Sequence, residues 1–206
     1  MTTEIEVIEK FQKLTDKFIG KLPVHGVGNN NIKRSYSKLS GTMAVSVIKA
    51  AISKVIEGEN LPYKVSQNNV YIKDCFTEWD LLIVKETAQM LDDLPIYNLN
   101  DVLVVVECKA YGLFFSKKNT ELNPLKNFLT SYRSLREINN NLMARYITIS
   151  ERFPKHKESI SYIDYTKNAM FDGTGSENSV FCFSKNRKDY YLENGYSWKD
   201  FIVNSL

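Results

Sequence analysis

Three residues in the middle of this 206-residue chain have the types and spacing to do chemistry together. Asp80 opens the apolar run LLIV, while Glu107 and Lys109 close a second run, VLVVV, within the triplet Glu107-Cys108-Lys109. Side chains alternate along a strand, so Glu107 and Lys109 share one face and Cys108 takes the other. If strands at 79–84 and 101–107 are antiparallel neighbours, Asp80 lies opposite Glu107. Two carboxylates that close repel each other and favour a divalent cation between them. A hard oxygen site of this kind suits Mg²⁺, which keeps its waters and accepts phosphate oxygens. A lysine beside the ion can orient or deprotonate an attacking water. The ion offsets charge on a pentacovalent phosphate, the division of labour of metal-assisted phosphodiester hydrolysis. The plainer reading is that the two acids end their strands and Lys109 pairs with one of them. An acid directly after a buried run is poorly explained by packing, because buried charges are costly unless paired.

The elements that must position these residues are legible in the hydrophobic pattern. Ile5, Ile8, Phe11, Leu14 and Phe18 recur at helical spacing and predict an amphipathic helix over 3–19. The stretch 21–35, rich in Gly, Asn and Pro, reads as a linker. A second helix is expected over 40–57, with Ser40 as N-cap and Val45, Ile48, Ile52, Val55 and Ile56 as its buried stripe. Tyr63–Val65 and Val70–Ile72 flank Gln-Asn-Asn as a hairpin. Strands follow at Trp79–Val84 and Asp101–Val106, separated by an irregular acidic stretch. The second reads as buried on both faces. Pro124 opens a helix to about Asn141, Arg145–Ser150 and Val180–Phe183 are strands, and a short helix starts at Trp198. Gly173–Gly175 reads as a loop. The order helix, hairpin, strand, strand, helix, strand is α/β, with one mixed sheet covered by helices.

TEWDLLIV with Asp80 and VLVVVECKAYG with Glu107-Cys108-Lys109 resemble the PD-(D/E)XK nuclease superfamily, the restriction-endonuclease-like fold. The resemblance covers roughly 40–150 and implies an α-β-β-β-α-β core with a mixed sheet flanked by helices. It divides a single nuclease-like domain, 1–206, into an N-terminal helical arm and linker (1–35), the core (40–150) and a C-terminal extension (151–206). It implies that Asp80 and Glu107 are metal ligands, with the Cys108 carbonyl as a third, and that Lys109 is the water-orienting base. The cofactor implied is Mg²⁺, for which Mn²⁺ can substitute. The reaction implied is hydrolysis of DNA phosphodiester bonds, in restriction or phage defence, by a homodimer that cuts both strands. Three features depart from the family's pattern. Trp79 stands where a proline is expected, the interval between Asp80 and Glu107 is long, and helix 40–56 carries no glutamate. Glu78 is a candidate accessory acid. Two alternatives stay open: an inactive nuclease-like module that binds nucleic acid or protein, and an RNA-directed nuclease of the same fold.

The net charge of +3 excludes a histone-like protein, but its distribution is uneven. Lys10–Lys54 carries nine basic residues and one acidic, Asp80–Glu107 six acidic and one basic, and Lys109–Lys157 ten basic and three acidic. An acidic centre between basic flanks fits a cation site within a surface that attracts polyanions. Lys117, Lys118, Lys126, Arg133 and Arg136 are the DNA-contact candidates, with the two arginines on one helix face. The bland alternative is a solvated helix surface. Two histidines, His25 and His156, are too few for chemistry that needs several imidazoles. Cysteines 75, 108 and 182 form no CxxC pair, so neither zinc nor a disulfide framework is expected. With no membrane-length apolar run and an acidic N-terminal start, a cytoplasmic location is expected. The glycines after His25 match no phosphate-loop spacing. Helix 3–19, outside the core, is a candidate dimer arm.

Overall fold

The run that ends in Glu107 and Lys109 becomes the central strand of the molecule. In the computed structural model, which describes residues 3–18, 30–110, 124–151, 157–176, 178–186 and 197–206, this strand, β5, spans Val102–Ala110. Before it come α1 (Glu4–Phe18), α2 (Asn30–Gly58), β1 (Tyr63–Val65), β2 (Tyr71–Ile72), β3 (Leu81–Lys85) and β4 (Ile96–Tyr97). After it come α3 (Pro124–Ile138), β6 (Met143–Ile149), α4 (Lys157–Thr174), β7 (Val180–Phe183) and α5 (Trp198–Val203). The main sheet has the order β1-β3-β5-β6-β7. Its first three strands are antiparallel and its last three parallel, so it is mixed. The α-β-β-β-α-β order is realised by α2, β1, β3, β5, α3 and β6.

A strand buried on both faces must feed two cores, and β5 does so by alternation. Val104, Val106 and Cys108 face the core built with α1, α2 and α5, while Val105 faces the core built with α3 and α4. β3 alternates in step: Leu81 and Ile83 enter the first core, Leu82 and Val84 the second. Glu107 and Lys109 therefore take the α3 face of the sheet. The fold is three layers, helix, sheet and helix.

Several elements differ from the expected ones. β1 and β2 do not form a hairpin: β1 pairs with β3, and β2 joins β4 in a separate parallel pair. Asn69, at positive φ, instead turns the chain so that Val70 bridges Trp79. α2 begins at Asn30, so residues 30–35 of the expected linker are helical; residues 21–29 lie outside the described residues. Ser40 is accordingly buried inside α2 and is not its N-cap. α4 occupies a region where only a glycine loop was expected, and Gly173 and Thr174 form its last turn. The segment after residue 150 completes the core: β7 is a sheet strand, and α5 inserts Trp198, whose Nε1 donates to the Ala51 carbonyl at 3.3 Å.

The amphipathic stripe of α1 is buried within the chain only in its middle. Val7, Ile8 and Phe11 are buried in the core shared with α2. Ile5 and Phe18, at the two ends of the stripe, are each 57% exposed, so part of the apolar surface that makes α1 a candidate dimer arm stays on the outside. Lys38–Gly58 of α2 is long and apolar enough to cross a membrane, but half of that apolar window is buried inside the fold.

α3 and α4 meet at Gly173. A Cβ there would lie 2.5 Å from Leu129 Cδ2, and Leu129 is itself buried. Overpacking costs about 1–3 kcal/mol, while removing a helical glycine returns about 0.5–1 kcal/mol. Gly173→Ala is expected to lose about 1 kcal/mol net, read as a lower urea midpoint with an unchanged slope.

Candidate active site

Asp80 sits at a bend immediately before β3, and Leu81 pairs with Val106. That register places Asp80 beside Glu107, as the antiparallel pairing of the two runs requires. The Asp80 Oδ2 accepts from the Cys108 backbone N–H at 2.7 Å, which fixes the carboxylate against β5. Lys109 Nζ lies 3.8 Å from the same oxygen and also donates to Glu107 Oε1. The three side chains form one cluster on the α3 face, 25%, 12% and 22% exposed for Asp80, Glu107 and Lys109. In a strand, one residue's N–H and C=O face the same neighbour. The Cys108 carbonyl therefore opens toward the side on which Asp80 lies.

Burial dominates the protonation of this cluster. It pushes the Glu107 carboxyl up to about 7; Lys109 pulls the other way and Asp80 adds to the rise. Asp80 is also raised by burial, opposed by Lys109 and the Cys108 N–H and reinforced by Glu78. Burial alone would lower Lys109, yet the Glu107 and Asp80 carboxylates overcome it and leave the amine raised. Lys109 is thus an ammonium at neutral pH. The Cys108 thiol, buried on the opposite face, is held protonated well above its ordinary range and is no nucleophile.

The donor set fits a small hard cation. Two carboxylates and one carbonyl leave room for waters and a phosphate, the manner in which Mg²⁺ is held. Among the described residues no group of three or more His, Cys, Asp or Glu converges, so an all-side-chain cage is not offered. Glu78 is exposed and accepts from the Tyr71 hydroxyl at 2.9 Å, close enough to act on Asp80 but committed to another partner.

A metal held by these carboxylates would have to displace a proton, and the sign follows from Glu107. Its folded value, about 7, exceeds the ordinary 4.5, so the folded state holds this proton more tightly than the unfolded chain. The penalty for ionising it is absent below 4.5, grows through that interval and is complete above about 7. Bound metal offsets that penalty by taking the proton's place. The rise in Tm on adding Mn²⁺ is accordingly expected to be larger at pH 8 than at pH 6. The apparent affinity falls up to about tenfold per pH unit below 7. Paired thermal melts at the two pH values check this.

The cationic candidates divide by position. The β5–α3–β6 crossover returns α3 antiparallel to the strands, so its first turn lies at the Glu107 end of the sheet and its last turns at the other. Lys126 is exposed in the first turns. Arg133 Nη2 donates to the Asp172 carbonyl at 3.3 Å and Arg136 Nη1 to the Thr174 carbonyl at 2.7 Å, so both bind the C-terminal end of α4. Lys117, Lys118, His25 and His156 lie outside the described residues.

Sequence reasoning missed two neighbours of the cluster. Tyr146 and Thr148 of β6 stand in register with Glu107 and Lys109, and on the same face. Thr148 Oγ1 is buried without a hydrogen-bond partner, as is Trp79 Nε1 next to Asp80. The alternation in RYITIS marks both as one-face residues; which strand lies beside β6 is a fact of topology.

No protein-family model matches the chain. No curated protein matches it either. Among solved structures the chain is similar to NucC of E. coli MS115-1 in its cAAA-bound form, at 10% identity and a TM-score of 0.47, over 83% of this chain and 71% of NucC. At that identity no residue role passes from one chain to the other.

Proposed function

We infer that the protein is a divalent-metal-dependent endonuclease that hydrolyses DNA phosphodiester bonds, in the setting of restriction or phage defence. The observation that carries this reading is the convergence of Asp80, Glu107 and Lys109 on one face at one end of the central strands, with Asp80 locked to the Cys108 N–H. Asp80, Glu107 and the Cys108 carbonyl would hold Mg²⁺, with Mn²⁺ able to substitute. When bound, the ion supplies Lewis-acid stabilisation of phosphate charge and a more acidic water.

The chain's own residues do the rest. Asp80 is oriented before any ligand arrives, so little reorganisation accompanies binding. Lys109, as an ammonium, orients the attacking water by hydrogen bonding and adds positive charge beside the scissile phosphate. Lys126, at the same end of the sheet, serves as a phosphate contact, which makes binding salt-sensitive. Cleaving both strands of a duplex calls for two such centres, which a homodimer supplies. None of the three cysteines is in a disulfide, which suits a reducing cytoplasm.

The test is incubation with duplex DNA, single-stranded DNA and RNA, each with and without Mg²⁺. Mg²⁺-dependent cutting of DNA is the expected outcome. Cutting confined to RNA overturns the substrate assignment, and binding without cutting overturns the activity.

A further inference from the structure

The other end of the same strands carries a second polar feature that the reading above does not use. A cleft of about 740 Å³ is lined by Val102 and Leu103 at the start of β5, by Met143–Arg145 of β6, by the last turns of α3 and α4, and by the residues after α5. Among the described residues its lining includes Lys85, Arg136, Arg145 and five asparagines, and no Asp or Glu side chain.

Arg145 is the centre of the case. It is only 3% exposed, yet every acceptor it has is neutral. Its Nε donates to Ser205 Oγ at 2.6 Å, Nη1 to the Ala144 carbonyl at 2.9 Å and Nη2 to Met143 Sδ at 3.5 Å. Phe201 covers it, with the guanidinium carbon 5.5 Å from the ring centroid. A buried cation without a counter-ion is costly, and burial lowers this guanidinium to about 10. Arg136 stands on the other side of Tyr132, its guanidinium 5.9 Å from that ring, and both arginines act electrostatically on the Tyr132 hydroxyl. Lys85 completes the set at the rim, where it pairs with Asp101 at 3.5 Å.

We propose that this cleft is a binding site for a small phosphorylated molecule of nucleotide size, separate from the carboxylate centre. The exposed Arg136 guanidinium, backed by Arg145 whose protein acceptors are all neutral, calls for an anion, and arginine forks match phosphate oxygens two at a time. The cleft is larger than a lone phosphate needs and falls within the range of small-molecule sites. The asparagine amides offer donors and acceptors to the body of such a ligand. The site is independent of the nuclease reading, since Glu107 and Lys109 lie at the opposite end of β5.

The experiment is calorimetric titration of the full chain in EDTA, with inorganic phosphate, pyrophosphate and ATP as separate probes. EDTA removes divalent ions, so phosphate cannot be held through Asp80 and Glu107. At least one probe is expected to bind with one-to-one stoichiometry, and the phosphate and ATP arms separate a bare anion from a nucleotide. The exposed Arg136→Gln variant is expected to weaken binding about tenfold or more, and Arg145→Lys, which keeps the charge and loses the fork, is expected to weaken it as well. Thermal melts confirm that each variant is folded; if Arg145→Lys is not, Arg136→Gln decides alone. Glu107→Gln is expected to bind as the wild type does. Absence of binding by all three probes at about 1 mM, unchanged binding in Arg136→Gln, or loss of binding in Glu107→Gln overturns the proposal. So does binding that is seen only with oligonucleotides.

Discussion

Glu107→Gln is expected to lower Mg²⁺-dependent DNA cleavage by at least about a thousandfold, because it removes one of two carboxylates from the cation site. The substitution keeps the shape of the side chain, so packing on the α3 face is preserved. What changes is charge. Lewis-acid stabilisation is worth several kcal/mol, and each 1.36 kcal/mol is a factor of ten in rate. Asp80 alone retains its bond to the Cys108 N–H, and its interaction with Lys109 then dominates the site. The measurement is the initial rate of duplex nicking at saturating Mg²⁺, alongside a thermal melt to confirm folding. Activity within tenfold of wild type contradicts the assignment of Glu107.

Lys109→Met is expected to separate two properties that Glu107→Gln removes together. Cleavage should fall about 10²–10⁴-fold, the usual range for a group that manages protons or water in the transition state. Metal binding should survive and strengthen, because the ammonium now paired with Glu107 and Asp80 no longer competes with the ion. Without metal, the variant leaves Glu107 more firmly protonated, because the ammonium that lowers it is gone, and Asp80 without its countercharge, which costs about 1.5–3 kcal/mol. Tm without metal should therefore fall by several degrees, and Mn²⁺ should raise it more than in the wild type. The combination of lost cleavage with enhanced metal stabilisation identifies Lys109 as acting on the reaction. Weaker metal stabilisation than in the wild type contradicts that role.

The pairing of Asp80 with Glu107 was legible because it depends on local pattern. Two apolar runs, each ended by a charged residue, leave little freedom in how antiparallel strands bring their ends together, and alternation decides the face. What the sequence could not carry was long-range pairing. Val70–Ile72 looks like the partner of Tyr63–Val65 because a turn-like Gln-Asn-Asn joins them, yet β2 pairs with the distant β4. α4 escaped detection because KESISYIDYTKNAMFDGT has a weak apolar stripe and ends in Gly173-Thr174-Gly175, which reads as loop. The extension of α2 back to Asn30 runs through asparagines and serines, residues that favour caps and turns over helix interiors.

The site shows the same division. Arg133 and Arg136 could be placed on one helix face from their spacing, but what that face meets depends on α4, whose terminal carbonyls take both guanidiniums. Thr148 and Tyr146 became neighbours of the cluster only once β6 was known to lie parallel to β5. Nothing within RYITIS marks Arg145 as buried; its burial follows from Ser205 and Phe201, some sixty residues later.

The most direct measurement is a Mn²⁺ titration of the wild type and of Asp80→Asn, followed by electron paramagnetic resonance of the free ion at pH 8. Asparagine keeps an oxygen to accept from the Cys108 N–H and removes only the charge. The account predicts specific Mn²⁺ binding in the wild type and its loss in Asp80→Asn, with both proteins folded. Equal Mn²⁺ binding by the two contradicts the carboxylate pair as the metal site.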